Sequence, residues 1–465
     1  MRKVFVFLPD GVGLRNFAFS DFHDLALTQG LDVVYWNNTA YDLRKLQYRE
    51  IKMDHARIHP MTYIYKNARK HIELNLNIKR TNDRVYDSYR FGFSYKTLKL
   101  LLRSMAERFT IATQSSAKGL ERVKSAINKA ERKTDHYRKS LETLKAEKPD
   151  LVFVTNQRQA LAIGSVLAAK DLGIPTASFI FSWDNLPKAT MVIDTDYYIV
   201  WSDLMKNQLL SYYPELKAEQ VFVTGTPQFE PHFDDSKIVS RDAFFNSHHL
   251  DKNRRYICYS GDDFTTSPDD PQYLDDVALA VKMLNRKGHN LGIVFRRCPV
   301  DVSARYDAVL AKHAEIIMPI RPKWDAFGES WDNILPMPED LALLANTIAH
   351  TEFAVNLGSS MVFDYAAFGK PCAFINYTVA EPLRNGWRID PIYKYVHFRS
   401  MPSEKAVVWL NSPNEIAGKL ETMLSGVPET VAEARRWFGI VNREPAENAS
   451  ERIVGAFSEI IAKKK

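Results

Sequence analysis

Residues 353–371 place a short apolar run, Phe-Ala-Val-Asn-Leu, directly before Gly358-Ser359-Ser360, and a helical pattern follows that carries Asp364 and ends at Gly369-Lys370-Pro371. A small, hydroxyl-bearing turn at a helix start offers unpaired backbone N–H groups and the positive end of the helix dipole, which together suit a phosphate. Asp364, six positions after Gly358, falls on the second helical turn, where a carboxylate reaches ribose hydroxyls if the phosphates sit at the turn. The same residues fit a plain helix start, with Ser359 or Ser360 as N-cap and Asp364 as a solvated acid. This motif alone does not separate the two.

Three other places carry residues of the right type. After an apolar run at residues 3–8 stands Asp10-Gly11-Val12-Gly13, in which the glycines let backbone approach an acceptor or a donor phosphate and Asp10 is placed to deprotonate a hydroxyl. Asp10 would equally serve as a turn residue. The third glycine of a dinucleotide fingerprint is missing, and Trp36-Asn37-Asn38 stands where its acid would end the second strand, so NAD binding is excluded. After the run at 176–181 comes Ser182-Trp183-Asp184-Asn185. Its Trp face suits the apolar side of a sugar ring and its Asp and Asn suit the hydroxyls, or Trp183 is an aromatic anchor and Asp184 caps a turn. Asp10 and Asp184 both end strands, and only one of them would be the general base. Arg296 and Arg297 end a further run and could neutralise a diphosphate leaving group, so no metal is required. His55, His59, His248 and His249 lack the partners of a zinc site and read as surface or structural, and Cys258, Cys298 and Cys372 read as small buried residues rather than a disulfide or CxxC set.

The elements that must position these residues follow an α/β rhythm. Apolar runs at 3–8, 31–36, 151–154, 176–181, 197–201 and 220–223 read as strands, as do 256–260, 291–296, 353–357 and 372–376, with helical patterns between many of them. Such alternation implies mainly parallel sheets covered on both faces. Residues 40–90 show no clear period. Leu98, Leu101, Leu102, Met105 and Phe109 fall on one helical face, and a basic helix follows. The rhythm restarts after a polar stretch at 228–253, which sets a boundary between domains at 1–228 and 229–465, the first with a helical insertion at about 95–148.

With 465 residues, 45% hydrophobic and 25% charged, the chain has globular composition, which excludes disorder and fibrous classes. No apolar run approaches the roughly 20 residues of a membrane helix, and the opening run is too short for a signal peptide, so a cytoplasmic chain is expected. The net charge of +6 is concentrated at residues 118–148, where ten Lys/Arg face five acids, and in the closing Lys463-Lys464-Lys465. This is a solvated face or an attraction to anionic lipid on the inner membrane face. No nucleic-acid motif is present.

Segment 353–371 resembles the nucleotide-binding strand-turn-helix of the C-terminal domain of GT-B glycosyltransferases, with echoes of the peptidoglycan N-acetylglucosaminyltransferase and the CDP-glycerol glycerophosphotransferases. Val223-Thr224-Gly225-Thr226-Pro227 is similar to the end of the N-terminal domain in that superfamily and in UDP-N-acetylglucosamine 2-epimerases, and Ser182-Trp183-Asp184-Asn185 to a stretch in polysaccharide-biosynthesis transferases. Tyr259-Ser260-Gly261-Asp262 resembles the first glycine loop of the C-terminal domain, and Arg296-Arg297-Cys298-Pro299 an Arg-x-His-Pro run, with Cys298 replacing the histidine. The resemblance implies an α/β GT-B fold, two Rossmann-like domains facing across a cleft. It implies donor contacts at Gly261, Arg296, Arg297, Gly358, Ser359, Ser360, Asp364 and Glu381, and acceptor contacts at Gly11, Gly13, Trp183 and Asn185, with Asp10 or Asp184 catalytic. The implied activity is metal-independent, cofactor-free transfer from a nucleotide-sugar, UDP-linked by preference, to a hydroxyl of a surface glycan or lipid-linked acceptor. A CDP-glycerol or CMP-sugar dependent transferase and a non-catalytic nucleotide-sugar binder are the alternatives.

Overall fold

The computed structural model describes residues 1–53, 56–328, 333–384 and 386–463. His55, Lys464 and Lys465 lie outside them. The chain divides into two units, Met1–Pro227 with Asn448–Lys465, and Gln228–Glu447.

In the first unit the strands are β1 (Arg2–Leu8), β2 (Leu31–Asn37), β3 (Glu50–Lys52), β4 (Leu151–Val154), β5 (Thr176–Phe179), β6 (Tyr197–Val200) and β7 (Val221–Val223). They form one parallel sheet in the order β3-β2-β1-β4-β5-β6-β7. The helices are α1 (Phe22–Thr28), α2 (Pro60–Thr81), α3 (Leu98–Gln114), α4 (Ala117–Glu131), α5 (Asp135–Glu147), α6 (Ala162–Asp171) and α7 (Asp203–Tyr212). Because side chains alternate across a strand, Phe5, Phe7, Val34, Trp36, Val152 and Val154 enter one core with Ile72, Ile127 and Leu144. Phe153 and Phe179 enter the opposite face, where Phe17 meets both edge to face and Phe22 packs edge to face on Phe17 in turn.

The second unit holds α8 (Arg241–Ser247), β8 (Arg255–Ser260), α9 (Asp270–Arg286), β9 (Leu291–Arg296), α10 (Asp307–Lys312), β10 (Ile317–Pro319) and the antiparallel pair β11 (Trp324–Ala326) and β12 (Ile334–Pro336). It continues with α11 (Glu339–Ala349), β13 (Ala354–Asn356), α12 (Met361–Ala367), β14 (Cys372–Ile375), β15 (Val408–Leu410), α13 (Ile416–Ser425) and α14 (Pro428–Val441). The parallel order is β10-β9-β8-β13-β14-β15. Lys370 fixes the route from α11 to β14, because its ammonium donates to the carbonyls of Ile348, Ala349 and Thr351 at 2.6–2.8 Å.

Both sheets run from their first strand outward in one direction and then, from the fourth, in the other. The reversal lies between β1 and β4 in one unit and between β8 and β13 in the other. In open α/β sheets the crevice at the carboxyl ends beside such a reversal is where ligands bind.

Three sequence expectations are corrected. The last helix, α15 (Ala449–Lys463), belongs to the first unit rather than to a domain running from 229 to 465, since Phe457 packs on Phe153 at 4.8 Å and Phe22 at 6.0 Å and Arg452 donates to the Thr224 carbonyl. The region 40–90 contains α2, a 22-residue helix that buries Arg69, His71, Glu73 and Asn77 alongside Ala68, Ile72 and Leu74, which masks its apolar period. The basic stretch is two helices, α4 and α5, and several of its charges are locally paired: Lys124 with Glu121 and Glu215, Arg132 with Asp171, Arg138 with Asp135. The apolar face of α3 points outward.

Candidate functional site

Strand register builds the site in the second unit. Ser260 pairs with Arg296 across β8 and β9, and Tyr259 with Val355 across β8 and β13, so Gly261, Arg296 and the Gly358 turn leave the sheet at one level. Gly261 donates its N–H to the Arg296 carbonyl at 2.9 Å, and a Cβ there would stand 2.9 Å from the Tyr306 hydroxyl and 3.0 Å from Phe295. This glycine answers to packing. Arg296 is buried and gives Nη2 to both oxygens of Asp340 at 2.9–3.0 Å, while Asp340 also accepts from the Lys323 N–H and the Trp324 indole. Its Nη1 is buried with no partner among the described residues. Arg297 turns to the Ser303 carbonyl at 2.6 Å.

Gly358 has φ +65°, and a Cβ on it would meet Phe398 at 3.1 Å and Tyr393 at 3.2 Å, so only glycine fits the turn. Ser359 donates its N–H to Asn356, and its hydroxyl accepts only a long 3.4 Å bond from Met361. Ser360 stands at the N-cap of α12, exposed, and its side chain makes no capping bond. Asp364 is not a solvated acid: it is 8% exposed and binds His232 Nε2 through Oδ1 at 2.7 Å. The His232 ring lies between Phe229 and Phe368, and its Nδ1 is buried with no partner among the described residues. Sequence reasoning passed over His232 because it sits in the polar stretch read as a connector; its spacing gives no sign that it meets α12. Glu381 is exposed on the loop after β14, which is tied down where Leu383 N–H donates to Asp269.

In the first unit the carboxyl ends of β1, β4 and β5 carry two adjacent sets of polar contacts. Asp10 is buried and accepts from Asn156 Nδ2 and Gln159 Nε2 at 2.6 Å each and from Val12 N–H at 3.1 Å. Burial pushes its carboxyl above the usual carboxylate range, against these donors and the charge of Arg158. Gly13 is held against β4, where a Cβ would come within 2.3 Å of Thr155 Oγ1, and Gly11 is buried in the same turn, accepting the Leu14 N–H. Gln157, next along the chain from Asn156, begins a second set of bonds: it donates to Asn185 at 2.9 Å, and Asn185 Nδ2 donates to Asp184 at 2.7 Å. Asp184 also accepts from Ser182 and forms an ion pair with Lys188. Trp183 is buried, which leaves little of its face for a ligand.

Around these contacts stand cations that the sequence did not single out. Burial together with the charges of Arg158, Lys188 and Lys66 brings the Lys70 ammonium down to about 8, and Arg158 lies exposed over the Phe181 ring at 5.5 Å. Lysines one helical turn apart on α2 and an arginine just after β4 converge only in three dimensions; the polar run Thr155-Asn156-Gln157 after a strand was the one local signal. Of the histidines, His59 caps α2 by accepting from Met61 N–H, and His248 packs on Phe244 at 4.6 Å. Burial pushes the Cys298 thiol up to about 12, and no group of three or more His, Cys, Asp or Glu residues forms a metal-ligand cluster among the described residues.

Compared in sequence, the chain matches no protein-family model and no curated protein. Compared in structure, it is similar over nearly its whole length to several solved proteins. MnaA of S. aureus, solved with UDP, superposes with a TM-score of 0.54 at 11% identity, covering 99% of this chain and 97% of its own. A glycosyltransferase from Rickettsia africae gives 0.52 at 11% identity over 99% and 98%, and the UDP-GlcNAc 2-epimerase of Methanocaldococcus jannaschii gives 0.51 at 14% over 99% and 100%. The fold is GT-B. At these identities the likeness concerns the arrangement of strands and helices, which is common to epimerases and transferases.

Proposed function

We propose that the chain is a glycosyltransferase that moves a sugar from a nucleotide-sugar, UDP-linked by preference, to a hydroxyl of a cell-surface glycan or lipid-linked acceptor. The observation that carries this reading is the carboxyl edge of the second sheet at its β8/β13 reversal. There the Arg296 guanidinium has a buried N–H to spare, Ser360 leaves the start of α12 uncapped, and Asp364 is withheld from solvent beside His232. In this reading the diphosphate lies against Arg296 and the Ser359–Ser360 turn, and the free oxygen of Asp364 takes a ribose hydroxyl.

The acceptor hydroxyl attacks the anomeric carbon as the bond to the diphosphate breaks. The nucleoside diphosphate leaves with the electron pair, its charge met by Arg296 and the α12 N-terminus, and among the first unit's residues Asp10 is the one suited to take a hydroxyl proton. What supports Asp10 over Asp184 as base is its environment: burial raises the affinity of its carboxylate for a proton, whereas Asp184 is occupied by Ser182, Asn185 and Lys188. Asn156 and Gln159 then position Asp10 by their hydrogen bonds to its carboxyl. Lys66, Lys70 and Arg158 suit an acceptor that carries phosphate, as a lipid-linked one does. No helix among the described residues is long and apolar enough to cross a membrane, so such an acceptor would be met by peripheral contact.

The test incubates the protein with labelled nucleotide-sugars with and without glycan or lipid-phosphate acceptors. A transferase releases nucleoside diphosphate in step with glycosylated acceptor. An epimerase changes the donor sugar with no acceptor present, and that outcome overturns the reading. Use of CDP-glycerol or a CMP-sugar alone would move it to the capsule or teichoic-type transferases.

A further inference from the structure

Helix α3 is amphipathic in the reverse of the usual sense. The side it packs on α2 holds Ser104 and Glu107, 4% and 6% exposed, which are satisfied by the Ser94 backbone and by Asn67 and Arg103. The opposite side presents Leu98, Leu102, Met105 and Phe109, exposed by 71%, 58%, 57% and 71%. Their spacing of four, three and four residues makes one continuous stripe, about 16 Å long at 1.5 Å per residue. Apolar side chains left so open in a continuous row mark a surface that is covered in use.

The borders of the stripe name the cover. On one flank Arg103 lies over the Tyr63 ring at 5.5 Å; on the other Arg108 bonds the Tyr95 hydroxyl at 3.2 Å and lies over Phe93 at 5.8 Å. Phe91, also exposed, carries the Lys70 ammonium at 3.6 Å. Over residues 91–114 the basic groups are Lys96, Lys99, Arg103 and Arg108, and the one acid, Glu107, is buried on the packed side. Leu, Met and Phe flanked by Arg, Lys and Tyr is the composition of a helix that lies in a membrane interface, its apolar face among acyl chains and its cations at anionic headgroups.

We propose that the outer face of α3 seats the protein on an anionic lipid bilayer, with the helix in the plane of the interface and the basic α4–α5 pair outside the contact. This deepens the peripheral contact of the reading above and rests on it for its purpose, but its test needs no nucleotide, so either can fail alone.

The protein is mixed with vesicles of phosphatidylcholine alone or with about 30% phosphatidylglycerol and sedimented. The proposal expects binding to the anionic vesicles, weakened by salt, and a loss of about tenfold or more in partition for L102Q/F109Q with an unchanged melting temperature. A second pair on the same stripe, L98K/M105K, gives the same loss and guards against a fold defect in the first. Equal binding by parent and variants, or no vesicle binding by the parent, overturns the proposal. So does a parent that sediments as a dimer without lipid and is made monomeric by L102Q/F109Q, which would assign the stripe to a second copy of the chain.

Discussion

Replacing Arg69 by methionine tests how the helical insertion is fastened to the first sheet. Arg69 is 3% exposed and gives Nε to Glu73 at 2.8 Å, Nη2 to Asp194 at 2.9 Å and Nη1 to the Val192 carbonyl at 3.1 Å, joining α2 to the segment between β5 and β6. Removing one partner of a buried ion pair costs about 3–5 kcal/mol, because the other is left charged and unpaired. Glu73 keeps the Tyr213 hydroxyl at 2.9 Å, and Asp194 is partly open to water, so the lower end, about 3 kcal/mol, is expected. Burial alone would push the Asp194 carboxyl up, but Arg69 and Lys124 outweigh it and hold it below its usual value. A carboxyl depressed in the fold adds stability above its unfolded pKa, and that stability is lost as pH falls through the folded value. Without Arg69 the burial of Asp194 raises its carboxyl, so in the variant it takes up a proton in mild acid where the parent's stays ionised, and Arg69→Met is most costly at neutral pH and less so as pH falls. Urea denaturation at about pH 7.5 and about pH 4.5 reads both. A loss under about 1 kcal/mol at the higher pH, or an equal loss at both, refutes the argument.

Three further outcomes follow from particular contacts. Gly13→Ala drives a Cβ into Thr155 and Leu8 and lowers stability by about 1–3 kcal/mol, whereas Gly455→Ala in α15, with nothing within 4 Å, raises it by about 0.5–1 kcal/mol; thermal melts compare them. Because burial raises the Asp10 carboxyl in the fold, the parent loses stability relative to Asp10→Asn as pH rises from the ordinary carboxylate range through the raised value, which melting temperatures across pH would show. His232→Leu leaves Asp364 without its partner and weakens nucleotide binding about tenfold, while His232→Gln retains a donor and stays within about threefold by calorimetry.

Ten strands were legible because each is an apolar run bounded by turn residues, whereas β3, β10, β11, β12 and β15 are only three residues long and do not stand out; the ends of the legible runs gave the edge of the first sheet at Asp10 and that of the second at Arg296 and Gly358. Helix α2 was not, because polar residues such as Arg69, Glu73 and Asn77 are buried on it among the apolar ones, and two of them find partners more than a hundred positions away, Arg69 at Asp194 and Glu73 at Tyr213. The stripe on α3 was read correctly as one face, but a pattern of spacing does not say whether that face meets protein. Nor does local pattern show that α15 crosses back to the first unit, or that His232 reaches Asp364 across 132 positions.

The central claim is that the β8/β13 edge binds a nucleoside diphosphate through Asp364. Calorimetric titration with UDP, CDP, CMP, GDP and dTDP, on the parent and on Asp364→Ala, tests it directly. The account predicts tight binding of one diphosphate, UDP first, that the substitution abolishes or weakens by about tenfold or more. Binding of none of the five, or binding that Asp364→Ala leaves unchanged, contradicts it.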